Sequence, residues 1–445
     1  MSFQPVYIPV GVPTFHLESA QDAFERSVKL LRGVDENFAV PDKMLLSLDE
    51  LRAYMDGLQP DLIVFQNLTF ANAAYMAEVL RRFDCPLLLW TLREPVIDGG
   101  RLRLNSLTGA YSAANTLRAF DYRPFSYVFG APEEAETLAA VKASVEAARV
   151  KKAMRSLKMA AVGHTPQGFG FGRALDSELM CVFGVELEAV EARELIDEAK
   201  KLADSELDAA VADTEKATAG LDRTPQNNVR DHARLLNAYR AYVKSHNIGA
   251  LASRCWPDFF TSFGTPVCTV LSMLNDEGVA AACEADIYGA LSMWIGMQLS
   301  HEPVFFGDPV SLDEGDNSIT FWHCGAAACS LARRDTGAVV GVHPNRKIGP
   351  AMDFGCEAFP EATVFRVGRE PDGSFRFFIA EGEALDKPKQ FIGTSIVVRT
   401  DSDSRRVVEQ SVLDGFEPHF VVIKGRHGRT LRTLAEMFSF EVCEY

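Results

Sequence analysis

The first two thirds of the chain alternate short apolar runs with helix-like patterns. The runs VYIPVGV, PDLIVFQN and CPLLLWTLREP predict strands, and the segments between them, such as SAQDAFERSVKLLRGV, repeat apolar residues at helical spacing. A second alternation starts near SLKMAAVGHTPQGFGFG and continues to the helix IYGALSMWIGMQL. Strands that alternate with helices are typical of parallel sheets. We therefore predict an α/β protein with two parallel-sheet, Rossmann-like domains, over residues 1–155 and 156–300.

The last third of the chain has a different pattern. Short β-type runs such as SITFWHC, ATVFRVG, FRFFIAEG and QFIGTSIVVRT follow one another with turn signals between them. The segment REPDGSFR predicts a hairpin with Asp372 and Gly373 at its tip. This pattern predicts a third, β-rich and barrel-like domain over residues 301–445.

Composition narrows the classes of partner. The 445 residues carry a formal net charge of -16, which argues against nucleic acid or an anionic membrane as the main partner. The sequence has no apolar run long enough for a membrane span and no N-terminal signal pattern.

The nine cysteines are dispersed without a CxxC pair, which favours reduced thiols in the cytoplasm and no zinc cluster. No GxGxxG or P-loop motif follows the first strands, so a nucleotide site is not supported.

Two acidic residues stand where apolar strands end. Glu284 follows the run VAAAC, and Asp308 lies in VFFGDPVSL, 24 residues further on (308 − 284). Asp286 has the position of a cap for the helix that follows. Two acids at strand ends are typical of a site for a hard divalent cation. Spacing alone leaves the third ligand open among four histidines, His323, His343, His419 and His427.

Several segments resemble the superfamily of L-fucose isomerase and L-arabinose isomerase. The resemblance is carried by RCWPDFF, by GTPVCTVLSMLNDEGVAAACEADIYGALSMWI, by FFGDP with NSITFWHCG, and by the C-terminal GRHG. FQNLTFANAAYMAEVL, NSLTGAYSAANTL and GHTPQGF extend it in order over nearly the whole chain. It is most specific around Glu284 and Asp308, whose spacing matches fucose isomerase, although this chain is shorter than that enzyme.

The resemblance implies an aldose–ketose isomerase that uses a divalent metal, usually Mn²⁺, with Co²⁺ or Mg²⁺ as alternatives. By the motif match, Glu284 and Asp308 are expected to be metal ligands and acid/base groups, and His427 a further ligand. His323 is expected beside the metal, as a contact to substrate or a weaker ligand. The resemblance also implies a homo-trimer or homo-hexamer, in which first-domain residues such as Trp90 reach a neighbour's site.

The predicted reaction moves a proton between C2 and C1 of a free sugar through a cis-enediol. Trp90 and Trp256 are candidates to stack on the sugar. Three arginines, Arg93, Arg254 and Arg426, are candidates to contact an anionic group such as a sulfonate. Two alternatives remain open at this point: a metal-dependent sugar epimerase on the same scaffold, and a non-catalytic sugar-binding protein.

Overall fold

The structure is a computed structural model that describes residues 3–120 and 124–445. It divides into two compact units. The first comprises Met1–Ala153 and Arg429–Phe440, and the second comprises Met154–Gly428 and Glu441–Tyr445. The second unit thus contains both the predicted second domain and most of the predicted third, and the boundary between those two stays a prediction. The first two residues of the predicted first domain lie outside the described residues.

The first unit is built on a parallel sheet of four strands in the order β1-β2-β3-β4. Its strands β1 and β2 are buried at every position, because helices cover both faces of such a sheet and the strands must be apolar throughout. The elements are β1 (Pro5–Val10), α1 (Leu17–Val34), α2 (Leu48–Met55), β2 (Leu62–Asn67), α3 (Ala73–Arg82), β3 (Leu87–Thr91), α4 (Ser106–Ala119), β4 (Ser126–Phe129) and α5 (Ala135–Met154).

The second unit begins with another parallel sheet, in the order β6-β5-β7-β8. The elements are β5 (Lys158–Val162), α6 (Asp176–Phe183), β6 (Glu186–Val190), α7 (Ala192–Lys201), α8 (Asp208–Ala217), α9 (Gln226–His246), β7 (Ala250–Ser253), α10 (Cys268–Asp276), β8 (Ala280–Cys283) and α11 (Ile287–Ser300). From β5 the chain moves to β6 on one side and then returns to β7 on the other. Such a reversal opens a crevice at the carboxyl ends of the strands.

The rest of the second unit forms a closed antiparallel barrel of six strands. Their order is β13-β16-β9-β10-β15-β14, and β14 pairs back to β13. The elements are β9 (Phe305–Asp313), β10 (Ser318–His323), β11 (Val340–Gly341), β12 (Ala351–Met352), β13 (Phe359–Arg369), β14 (Phe375–Ala384), β15 (Thr394–Thr400), α12 (Ser404–Leu413), β16 (Phe420–Lys424), α13 (Gly428–Phe438) and β17 (Glu441–Glu444). From Arg429 onwards, α13 belongs to the first unit.

Helix α11 lies between the second parallel sheet and the barrel. It contacts β7 and β8 on one side and β13 and β16 on the other. Every residue from Ile287 to Gly296 is buried, as expected of a helix that is apolar all round. This helix therefore connects the carboxyl end of a parallel sheet, where it begins, to strands β13 and β16 of the barrel.

The predicted fold class is confirmed. Two parallel sheets with helices precede a closed barrel, in the order that the hydrophobic pattern indicated. Among the described residues, no helix combines the length and the apolar composition needed to cross a membrane.

Candidate active site

The turn that follows β8 holds Glu284 in a strained conformation. Glu284 and Ala285 have φ angles of 61° and 55°, in the left-handed region that side chains other than glycine rarely adopt. The amide of Ala285 donates to the carbonyl of Ser253 (3.1 Å). Gly172 packs so closely beneath the turn that a Cβ there would lie 2.8 Å from Cα of Asp286. Strain of this kind costs about 1–3 kcal/mol per residue and is concentrated at functional sites.

Asp286 makes three different contacts from a fully buried position. Its Oδ1 accepts from the amide of Gly289 (2.9 Å), which confirms the predicted cap of α11. Arg366 on β13, also fully buried, donates to both carboxylate oxygens (2.5 and 3.1 Å). Burial alone would raise the pKa of Asp286, but the charge of Arg366 and the contact with His419 hold it well below its usual range. Asp286 is therefore an anion inside the core.

His419 is oriented by that anion. Its Nδ1 lies 2.9 Å from Oδ2 of Asp286 and donates to it, which leaves Nε2 as the nitrogen that faces the site. Nε2 lies 3.2 Å from Oε2 of Glu284 and 3.4 Å from Oδ1 of Asp308. Burial lowers the pKa of His419, but Asp286 and Glu284 outweigh it and raise the pKa. A carboxylate on Nδ1 is the usual device that aims a metal-binding imidazole.

The pairing of the barrel strands brings these residues together. In the antiparallel ladder Phe420 is opposite Gly307, and Trp322 is opposite Asp308. The start of β16, the middle of β9 and the end of β10 therefore lie at one level of the barrel. A register shift next to Asp308 marks a bulge, an irregularity that re-aims side chains near active sites.

His323 completes the cluster. It is the last residue of β10 and is buried. One of its ring nitrogens lies within 4.8 Å of ligand atoms of both Glu284 and His419. Burial lowers the pKa of His323, but neighbouring Cys324, Asp308 and Glu284 raise it to about 10. Burial also raises the pKa of Asp308.

The structure does not place His427 in this cluster. Nε2 of His427 lies 3.0 Å from the carbonyl oxygen of Lys424, and its amide donates to Thr363 (2.9 Å). Strand β16 separates His427 from His419, and at about 3.3 Å per residue its length is about 16 Å. The expectation for His427 rested on the motif match of GRHG. His419 comes directly before β16 and His427 comes after its end, and β16 is antiparallel to both of its neighbours.

The two tryptophans have different surroundings. Trp90 is fully buried in β3 of the first unit, and its indole donates to the carbonyl of Gly130 (2.9 Å). Trp256 is half-buried, and the ring of Phe169 meets it edge-on at 6.1 Å. A substrate contact by either tryptophan stays a prediction.

The cluster has the donor set and charge that suit a divalent cation. Adjacent ligand atoms around an octahedral cation at about 2.1 Å lie about 3 Å apart, close to the 3.2 and 3.4 Å that separate Nε2 of His419 from the two carboxylates. Carboxylate oxygens with an imidazole suit Mn²⁺. Glu284, Asp286 and Asp308 bring three carboxyl groups together, and Glu284 and Asp308 help to raise the pKa of His323. The residues present thus fit the cation that the resemblance implies.

The chain is similar over its whole length to several known proteins. A protein of Clostridium sp. (strain MSTE9) named sulfoquinovose isomerase is 60% identical over 443 residues, which cover 100% of this chain and 99% of that protein. Proteins with the same name from Priestia aryabhattai and Alkalicoccus urumqiensis are 38% and 37% identical, each over 99% of this chain and 98% of the relative. No family model matches the chain.

These relatives confirm the predicted class of protein: the chain is an enzyme, an aldose–ketose isomerase. It belongs to the family of sulfoquinovose isomerases. A place in the fucose isomerase superfamily stays a prediction.

We predict that His419→Ala weakens Mn²⁺ binding by at least about 100-fold, because it removes a ligand, whereas loss of an outer contact typically costs 10–100-fold. His427→Ala is the matched control, since it flanks the other end of the same strand, and should bind Mn²⁺ as the wild type does. Calorimetric titration of Mn²⁺ into both variants measures this. If His427→Ala loses affinity and His419→Ala does not, the ligand proposed here is the wrong histidine.

Asp286→Asn should destabilise the second unit strongly. Breaking a buried ion pair from one side costs about 3–5 kcal/mol, since Arg366 would remain charged in the core. Asp401→Asn is the control: Asp401 also pairs with both guanidinium nitrogens of an arginine, Arg426, but at the surface, where such pairs contribute little. Urea unfolding followed by circular dichroism compares the variants. Equal midpoints for the two would contradict the role given to Asp286.

Proposed function

We propose that the enzyme converts sulfoquinovose, a glucose that carries a sulfonate at C6, into the corresponding ketose. Two findings support this substrate. Full-length relatives bear its name, and the Glu284–Asp308–His419 cluster has the groups that proton transfer between C2 and C1 requires. The proposal rests most on the position of Nε2 of His419, which lies within 3.4 Å of a carboxylate oxygen of Glu284 and of one of Asp308.

A divalent cation, Mn²⁺ in our proposal, would be held by Glu284, Asp308 and His419, with His323 beside them. When bound, it supplies a positive charge that polarises the sugar oxygens at C1 and C2 and stabilises the enediolate. Asp286 orients His419 by accepting a hydrogen bond from its Nδ1, so that Nε2 faces the carboxylates of Glu284 and Asp308.

The two carboxylates share the proton transfers. The side chain of Glu284 is 17% exposed and that of Asp308 is 32% exposed, so both are open to a sugar. We assign removal of the C2 proton and its return to C1 to Glu284, the less exposed of the two carboxylates. Asp308 carries the second proton between O2 and O1. Positioned acid/base groups of this kind typically contribute about 10²–10⁴-fold.

The sulfonate requires a cation in an acidic chain, and Arg346 is our candidate. Arg93, Arg254 and Arg426 each pair with a carboxylate, respectively of Glu134, Asp258 and Asp401. In the described part of the chain, the guanidinium of Arg346 pairs with no carboxylate. Its guanidinium lies 5.2 Å from the ring centre of Trp256, and it is exposed.

A continuous row of rings connects Arg346 to the cluster. Trp256 contacts Phe169 (6.1 Å between ring centres), Phe169 contacts Phe171 (5.5 Å), and Phe171 contacts His419 (5.5 Å). Aromatic faces bind the apolar side of a sugar ring. In our proposal the sugar lies along this row, with its reacting end at His419 and its sulfonate towards Arg346.

The two alternatives predict different products. A metal-dependent epimerase would invert C2 and return an aldose, whereas the isomerase yields a ketose, and carbon-13 NMR distinguishes the two. A non-catalytic sugar-binding protein would yield neither, and full-length identity to proteins named as isomerases argues against it. The homo-trimer or homo-hexamer and the cytoplasmic location stay predictions.

Turnover of sulfoquinovose should be lost on treatment with EDTA and restored by Mn²⁺, and NMR of the product checks this. Glu284→Gln should remain at least about 10²-fold slower after Mn²⁺ is returned, because the amide keeps the shape but is no base. Glu302→Gln alters an exposed carboxylate that pairs with Lys424 and should behave like the wild type. Full turnover by metal-free enzyme, or an active Glu284→Gln, would refute this mechanism.

Arg346→Ala should raise KM for sulfoquinovose about 10- to 100-fold with little change in kcat, since a hydrogen bond to a charged group contributes about 1.5–3 kcal/mol. Arg426→Ala removes a surface guanidinium of the same kind and should leave KM unchanged. Steady-state kinetics with both variants decide the point. If KM rises with Arg426→Ala and not with Arg346→Ala, the sulfonate is bound elsewhere.

A further inference from the structure

The loop between β11 and β12 is organised around one residue, His343. The two strands pair with each other, so the loop leaves and re-enters the fold at the same place. The amide of His343 donates to the carbonyl of Ile348 (2.9 Å), and the carbonyl of His343 accepts from the amide of Lys347 (2.8 Å). Lys347 has a φ angle of 59°, which persists only where the surroundings hold the backbone.

The side chain of His343 binds the tip of the same loop. Its Nδ1 accepts from the amides of Asn345 and Arg346, at 3.3 Å each, and Pro344 has no amide hydrogen. The ring and the carbonyl of His343 thus receive every backbone N–H of residues 344–347. A side chain that accepts from amides two and three positions further on is the arrangement that fixes Asx turns and helix N-termini.

The ring of His343 is itself held in the interior. The residue is only 4% exposed, and the ring of Phe260 meets it edge-on, with 5.0 Å between the ring centres. The residues that its side chain binds, Asn345 and Arg346, are exposed. A packed acceptor keeps such amides in one place, whereas water would let them move. His343 therefore ties an exposed loop to the core.

This loop presents the guanidinium of Arg346. The guanidinium lies 5.2 Å from the ring centre of Trp256, and the proposed function assigns the sulfonate to it. A long side chain loses conformational freedom when it binds a ligand, and an unfixed backbone would add its own loss. With the amide of Arg346 already bound to His343, only the side chain remains to be ordered.

We propose that His343 is a positioning residue for sulfonate binding: it fixes the loop from which Arg346 reaches the substrate, and touches neither the sugar nor the cation. This inference rests on the proposed function, because it needs Arg346 to bind the sulfonate. The sulfonate is at C6, remote from the proton transfer between C2 and C1. Loss of His343 therefore weakens substrate binding and leaves the chemical step intact, which raises KM and not kcat. The alternative is that His343 only fills space beside Phe260.

Two substitutions separate the acceptor of His343 from its volume. His343→Phe keeps the size of the ring but loses the acceptor, whereas His343→Asn loses the ring but offers an oxygen to the same two amides. We expect KM for sulfoquinovose to rise about 3- to 30-fold in His343→Phe, the effect of a lost cap, with kcat little changed. In His343→Asn, KM should stay near the wild-type value. An unchanged KM in His343→Phe, or a rise confined to His343→Asn, would overturn the proposal.

A double substitution tests whether His343 acts through Arg346. In the Arg346→Ala background, His343→Phe should raise KM no further, because the guanidinium that it positions is already gone. A further rise as large as in the wild-type background would show an independent role and contradict the proposal. His232→Phe is the matched control: His232 is a fully buried imidazole whose Nε2 lies 3.0 Å from the hydroxyl of Thr214, and its loss should leave KM unchanged.

Hydrogen exchange of the peptide that spans residues 343–348 tests the loop without a sugar. Its amides should exchange at least about fivefold faster in His343→Phe than in the wild type or in His343→Asn, because they lose their acceptor. Equal exchange in all three proteins would refute the role of the ring. If Arg346→Ala leaves KM unchanged, the proposed sulfonate site fails and this inference fails with it. If Arg346→Ala raises KM and His343→Phe does not, the inference fails alone.

Discussion

The buried pairing of Asp286 with Arg366 is the interaction on which the rest of the second unit depends. The carboxylate caps α11, which begins at the end of the parallel sheet, and accepts two hydrogen bonds from an arginine on a barrel strand. The same carboxylate orients His419. Two buried charges are costly unless they are fully paired. Here the pairing fixes the sheet, the barrel and one side chain of the active site in a single geometry.

The candidate active site lies where the second parallel sheet and the antiparallel barrel meet, next to Asp286 and Arg366. The parallel sheet contributes Glu284 from the strained turn at the carboxyl end of β8. The antiparallel barrel contributes Asp308, His323 and His419 from three neighbouring strands at one level. Negative charge accumulates there because the guanidinium of Arg366 is already bound to Asp286. A divalent cation would balance this charge, and the oxygens of a sugar could then bind to the cation.

The sequence predicted what depends on local pattern. Hydrophobic periodicity indicated both parallel sheets and the barrel, and Glu284 and Asp308 were singled out because each follows an apolar run. The approach of His419 to Asp308 was not predictable from the sequence. It depends on the register that sets Phe420 opposite Gly307, and this register is a property of the closed barrel. His419 itself was visible as a histidine directly before an apolar strand. Arg366 lies within the run ATVFRVG and gives no local sign that it is buried.

The most direct test of this account is the position of Mn²⁺ in a crystal. Anomalous diffraction at the manganese edge, from crystals of the full chain grown with the metal, locates the ion without any assumption about its ligands. The account predicts one peak bounded by Glu284, Asp308 and Nε2 of His419, with Asp286 on the opposite nitrogen of that ring. A peak at His427, or no peak near the two carboxylates at saturating Mn²⁺, would contradict it.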